Sequence, residues 1–133
     1  MSKVKDYIYR PEFECMSRSE MENLQSERLR KTVERVYNNC KPYRAKMDEL
    51  KLKPSDIKSV SDLSKLPFTV KHDLREAYPF GFYSAPSDEI VEVHASSGTT
   101  GKLTVVGYTQ NDIDVWAEIA ARSLAMAGVT KSS

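Results

Sequence analysis

The chain has 133 residues, 40% hydrophobic and 29% charged, with 20 basic against 19 acidic side chains and a formal net charge of +1. That suits one modest domain with a single core, and it leaves no overall field favouring nucleic acid, an anionic membrane or a polyacidic partner. Cys15 and Cys40 lack the spacing of a zinc site or a disulfide framework, the N-terminus lacks a signal peptide's apolar core, and no run approaches the ~20 apolar residues of a membrane span. A reduced, cytoplasmic setting is expected.

Ser17 with Glu20 three residues later has the form of a capping box, and Met21, Leu24, Leu29, Val33, Val36 and Tyr37 follow at helical spacing, which predicts a helix over 18–39. Asn38, Asn39 and Pro42 read as its end. Tyr43, Met47 and Leu50 then predict a shorter helix over 43–50. From Ser55 to Pro86 short helical pieces alternate with turns, and this stretch is expected to wrap a core more than to build one. After Pro86, Ile90–Ala95 and Leu103–Tyr108 are short and β-branched, hence strands. Thr109 caps a last helix with Asp112 at its third position, an apolar stripe of Ile113, Trp116, Ala120, Leu124 and Ala127, and Gly128 just past its end. The fold class expected is α/β: a mainly helical segment over 1–86, then over 87–133 the first strands and helix of a larger domain.

Between the two strands stands Ser96-Ser97-Gly98-Thr99-Thr100-Gly101-Lys102. Two glycines allow successive backbone N–H groups to turn toward an anion, four hydroxyls add donors, and Lys102 adds positive charge. A polyphosphate suits such a cradle. It is not a Walker A loop, because only two residues separate the glycines, no Ser or Thr follows the lysine, and a strand follows instead of a helix. The plain alternative is a polar turn between strands, since Ser, Thr and Gly are the usual turn residues.

That string resembles the phosphate-binding signature of the adenylate-forming superfamily of acyl-CoA synthetases, peptide-synthetase adenylation domains and luciferases. A narrower resemblance surrounds it. Leu24-Gln25-Ser26-Glu27-Arg28-Leu29, Asp62 to Thr69 (DLSKLPFT), Tyr78-Pro79-Phe80-Gly81 and Val105-Val106-Gly107-Tyr108-Thr109 follow one another as in the phenylacetate-CoA ligase family. Leu103 departs from it, standing where the family usually has proline.

The resemblance implies an enzyme that activates an aryl acid with ATP and Mg2+ to an acyl-adenylate and transfers it to coenzyme A, with AMP released. It also implies that the adenine, ribose and magnesium motifs and the C-terminal catalytic lysine fall outside this chain. The expectation is therefore an N-terminal portion, inactive alone, with no catalytic or metal-binding residue of its own and residues 96–102 as its nucleotide contacts. Uncovered strand edges would drive it to form homo-oligomers. A fragment of a coenzyme F390 synthetase-like enzyme and a stand-alone interaction or phosphate-binding module are the alternatives.

Other residues have plain readings. His94 lacks a carboxylate partner in view and reads as structural, His72 as solvated, Trp116 as core on its helix stripe, Cys40 as an unactivated thiol, and the alternating charges of Glu27 to Arg35 as a solvated face.

Overall fold

The computed structural model describes residues 7–96, 103–130 and 133. It opens with one helical turn, α1 (Pro11–Glu14), begun by a proline that fits the first helical position. The long helix α2 (Arg18–Asn39) has the bounds that its periodicity predicts. Its start is the expected capping box: Ser17 Oγ accepts from the Glu20 amide at 3.3 Å, and the Glu20 carboxylate accepts from the Ser17 amide at 2.8 Å.

Helix α3 (Lys41–Glu49) begins two residues earlier than predicted, because Pro42 is not a breaker there. In the first turn its missing N–H has no intrahelical partner to lose. At the other end the amide of Lys51 donates to Asp48 and that of Leu52 to Met47, the paired bonds of a Schellman closure.

The core lies between these helices and the segment that follows. Val33, Met47 and Ile57 are its buried centre, with Leu29, Tyr37, Tyr43, Leu52 and Leu66 packed around it. Ile57 and Leu66 correct the expectation for residues 55–86: the stretch supplies core side chains. Each of the two directly follows a short 3-10 turn, Pro54–Asp56 and Val60–Lys65, too short to show a helical period. Ser26, buried on α2, fastens the second turn by accepting from the Val60 amide at 3.1 Å. Helix α4 (Lys71–Glu76) is tied to α3 by Lys46 Nζ, 2.6 Å from the Asp73 carboxylate.

Strands β1 (Ile90–Ser96) and β2 (Thr104–Thr109) form an antiparallel pair, with register irregularity between Ile90 and Glu92. Each runs one residue past its predicted end, and β2 starts one later. Thr109 then caps α5 (Gln110–Met126), its Oγ1 accepting from the Asp112 amide at 3.3 Å. Gly128 closes it with φ of 91° and a second Schellman pair, Gly128 to Ala125 and Val129 to Leu124.

One side of α5 faces the N-terminal segment. Ala125 is buried there, Arg10 Nη1 reaches the Glu118 carboxylate at 3.1 Å, and the Phe13 ring is met by Arg10, Arg28 and Arg122 at 5.0, 5.7 and 5.1 Å. The predicted core stripe is not the side that is covered: Trp116 is 49% exposed, and Leu124 is exposed as well. A periodic pattern names the apolar side of a helix, whereas cover for it must come from other chain. The fold is α/β, and among the described residues no helix is long and apolar enough to cross a membrane.

Candidate functional site: the root of a phosphate loop

Of the seven residues singled out as nucleotide contacts, Ser96 is the last residue of β1. Ser97, Gly98, Thr99, Thr100, Gly101 and Lys102 lie outside the described residues. What surrounds them is well defined. Ser96 pairs across the ladder with Thr104, Ala95 with Val105, and His94 with Val106, so both ends of the glycine-rich connection leave the sheet side by side.

Each face of the hairpin is held in a different way. Along β1, Glu92, His94 and Ser96 share one face, because strand side chains alternate. His94 Nε2 contacts the Glu92 carboxylate, and its ring lies 5.0 Å from Tyr108 and 5.7 Å from Trp116, which are themselves 5.5 Å apart. His94 thus has an acidic partner, Glu92, where none was expected. The separation of two in a strand puts both side chains on one face, a strand-period signal that could have been read. Trp116 belongs to this half-exposed aromatic cluster instead of the core. Among the described residues His94 ties β1 to β2 and to the first turns of α5.

The opposite face is pressed by Tyr83. A Cβ on Gly107 would stand 2.5 Å from the Tyr83 ring, so any larger residue there would have to displace that ring. The Tyr83 hydroxyl is buried without a hydrogen-bond partner among the described residues, and burial pushes its pKa up. Beside it runs a groove of about 220 Å³, lined by Arg35, Leu74, Phe82, Tyr83, Val105 and Asp112 among others. The pairing of Tyr83 with Gly107 was not foreseen, since it joins positions 24 residues apart.

The remaining candidates keep their plain readings. His72 is largely exposed, 3.6 Å from Glu76. Cys40 is buried beneath Gly81, and desolvation raises its thiol pKa, the opposite of activation. In the Glu27 to Arg35 run, Lys31 pairs with Glu27 at 2.6 Å on the surface. No cluster of His, Cys, Asp or Glu among the described residues is arranged to hold a metal ion.

No protein-family model matches the chain. Among curated proteins, a phenylacetate-coenzyme A ligase of Thermus thermophilus is 50% identical over 121 residues, which is 91% of this chain and 27% of that ligase. A phenylacetate-coenzyme A ligase of Escherichia coli is 52% identical over 115 residues, 86% of this chain and 26% of the ligase. The chain therefore spans about a quarter of the length of these relatives. Among solved structures, a 2-hydroxyisobutyryl-CoA ligase in complex with 2-HIB-AMP and CoA superposes with a TM-score of 0.81 at 30% identity. That match covers 94% of this chain and 28% of the other. The matched part is the N-terminal region of these ligases.

Proposed function

We propose that this chain, which belongs to the phenylacetate-CoA ligase family, supplies the triphosphate-gripping portion of an ATP-dependent ligase that converts an aryl acid to its acyl-adenylate and then to its coenzyme A thioester. The observation that carries this reading is the hairpin root: Ser96 and Thr104 are ladder partners, so the Ser-Ser-Gly-Thr-Thr-Gly-Lys connection begins and ends on a rigid platform clamped by Tyr83 on one face and the His94 cluster on the other. A phosphate cradle needs such a platform, because its donors stabilise charge only when held in place beforehand.

In the reaction, a carboxylate oxygen of the acid attacks the α-phosphorus of ATP, the bond to the β-phosphate oxygen breaks, and pyrophosphate leaves. The coenzyme A thiolate then displaces AMP from the acyl carbon. Residues 96–102 would act in the first step, gripping the β- and γ-phosphates so that the departing group is in line and its charge is met. Gly98 and Gly101 would present backbone N–H groups, Thr99 and Thr100 hydroxyls, and Lys102 a mobile cation, with Ser96 and Ser97 as further donors. Mg2+ would be held by residues elsewhere in the ligase.

Residues 87–133 would begin the nucleotide-binding α/β domain, and 1–86 would form a helical segment buttressing it. The acid is chosen outside this quarter: relatives at about 50% identity act on phenylacetate, while the solved relative carries a 2-hydroxyisobutyryl adenylate. By itself the chain would not complete the reaction, would weakly self-associate through its uncovered edge, and would work in the cytoplasm where ATP and coenzyme A are available. A stand-alone module is not favoured, because the identity runs through 80–91% of the chain.

The test joins this chain to the remaining three quarters of the E. coli ligase in one polypeptide and measures phenylacetate-dependent exchange of pyrophosphate into ATP. Thr99→Ala with Thr100→Ala is expected to lower the exchange rate about 10²-fold, the scale of a lost transition-state donor. An unchanged rate would overturn the assignment.

A further inference from the structure

Thr104 opens β2, and its Oγ1 is buried without a hydrogen-bond partner among the described residues. Strands favour threonine for its branched side chain, so the residue type alone calls for no explanation. A buried hydroxyl left unpaired does, because valine has the same shape and carries no such cost.

Thr104 is the ladder partner of Ser96, and directly opposed residues of an antiparallel pair share one face with Cβ atoms about 5 Å apart. Serine and threonine in that relation can bond hydroxyl to hydroxyl after rotation about χ1. The next pair on this face is His94 with Val106, and His94 Nε2 is already held by Glu92, so it does not compete for the threonine. Ser96 itself is exposed. The pair sets a sheltered hydroxyl beside an open one, where β1 gives way to the glycine-rich connection.

A hydroxyl that donates its hydrogen to a phosphate oxygen keeps its lone pairs free to accept. Resting on the phosphate-gripping function proposed above, we infer that Thr104 is a positioning residue for the adenylation step and acts through Ser96. The Thr104 hydroxyl donates to Ser96 Oγ, and the Ser96 hydroxyl donates to a triphosphate oxygen. The first bond fixes the Ser96 rotamer toward the phosphate and polarises its O–H, so the second bond is stronger than Ser96 alone would make it. Because the threonine hydroxyl is unpaired in the fold itself, its contribution appears in the use of ATP and not in the stability of the chain.

The experiment uses the single-polypeptide fusion with the E. coli ligase and the phenylacetate-dependent exchange of pyrophosphate into ATP. Thr104→Val keeps the shape and removes the hydroxyl. It is expected to lower kcat/KM for ATP roughly tenfold, the scale of one hydrogen bond to a charged group, with the KM for phenylacetate unchanged. Thr104→Ser, which keeps the hydroxyl, should recover most of that loss. Ser96→Ala should cost at least as much as Thr104→Val, and the double variant no more than Ser96→Ala alone, because the threonine acts only through the serine. Thr104→Val should leave the melting temperature of the 133-residue chain unchanged or raise it.

An unchanged kcat/KM for ATP in Thr104→Val overturns the inference. So does a loss that multiplies with that of Ser96→Ala, which would make the two hydroxyls independent. A fall in melting temperature on Thr104→Val also overturns it, since that marks a hydroxyl already bonded in the fold. Losses at Thr99→Ala with Thr100→Ala but none at Thr104→Val would remove this inference and keep the phosphate loop. The reverse, with non-additive losses at Ser96 and Thr104 and none at Thr99 and Thr100, would uphold the pair and remove the loop assignment instead.

Discussion

Helices α2 and α5 start alike and end up in different surroundings. Both are opened by a capping box, Ser17 with Glu20 and Thr109 with Asp112, and both carry an apolar stripe at helical spacing. Val33 on α2 is 3% exposed in a core completed by Met47 and Ile57, whereas Ile119 on α5 is 54% exposed. The cap chemistry depends on four consecutive residues and is satisfied wherever the chain is cut. Burial depends on partners distant in sequence, and for α5 those partners are not among the described residues. The helical segment thus carries its own buried centre, while the apolar stripe of α5 is largely exposed among the described residues.

The sharpest way to break this comparison is truncation in each stripe. Met47→Ala and Ile57→Ala remove fully buried side chains and should each lower unfolding free energy by about 2–5 kcal/mol, read by urea denaturation. Ile119→Ala should stay within about 0.5 kcal/mol, because its side chain is already largely in water. Equal losses at Ile57 and Ile119 would mean that the α5 stripe is covered in solution.

The same contrast sorts what the sequence disclosed. The bounds of α2, both capping boxes, the closure at Gly128 and the two strands were legible, because each rests on interactions within a few residues. Ile57 as a core residue was not, since it follows a three-residue 3-10 turn and belongs to no periodic run that would mark its inward side. Trp116 was misread because periodicity says which residues share a side and is silent on whether that side is covered. Of the proposed nucleotide contacts, the residue types and their order carried the reading, and the structure describes what flanks them: Tyr83 reaching Gly107, and His94 held by Glu92.

Caps offer a smaller, more even test. Ser17→Ala and Thr109→Ala should each cost about 1 kcal/mol, since each leaves a first-turn amide without its side-chain acceptor. Similar losses at both, measured by thermal unfolding, would sharpen the claim that helix starts are local; a loss only at Ser17 would mean that α5 is not stably formed in this chain.

Within the closed helical segment, Asp62 supplies a pH-dependent term. Its carboxylate is held by Lys65 first, then by the amides of Lys58 and Ser59, and its pKa is lowered from 3.8 to about 2. A depressed folded-state value means that the stabilisation is fully present above the unfolded pKa and is lost as pH falls through about 2. Asp62→Asn should therefore flatten the decline in melting temperature between roughly pH 4 and 2, the interval set by those two values. An unaltered decline would show that Asp62 is not held in this way.

The smallest effect compares the two helix ends that share one closure. At Lys51, after α3, φ is 55°, and at Gly128, after α5, it is 91°, both in the left-handed region. A lysine there bears roughly 1 kcal/mol of steric strain that glycine avoids, offset in part by the greater freedom that glycine restores to the unfolded chain. Lys51→Gly should consequently stabilise the chain by about 0.5 kcal/mol, and Gly128→Ala should destabilise it by about 1 kcal/mol. Space does not decide the second case, since a Cβ at Gly128 would meet Tyr7 at an ordinary 3.7 Å; the backbone conformation does. If Gly128→Ala proved neutral while Lys51→Gly stabilised, the end of α5 would be frayed in this chain, and its closure would not be fixed by the local backbone alone.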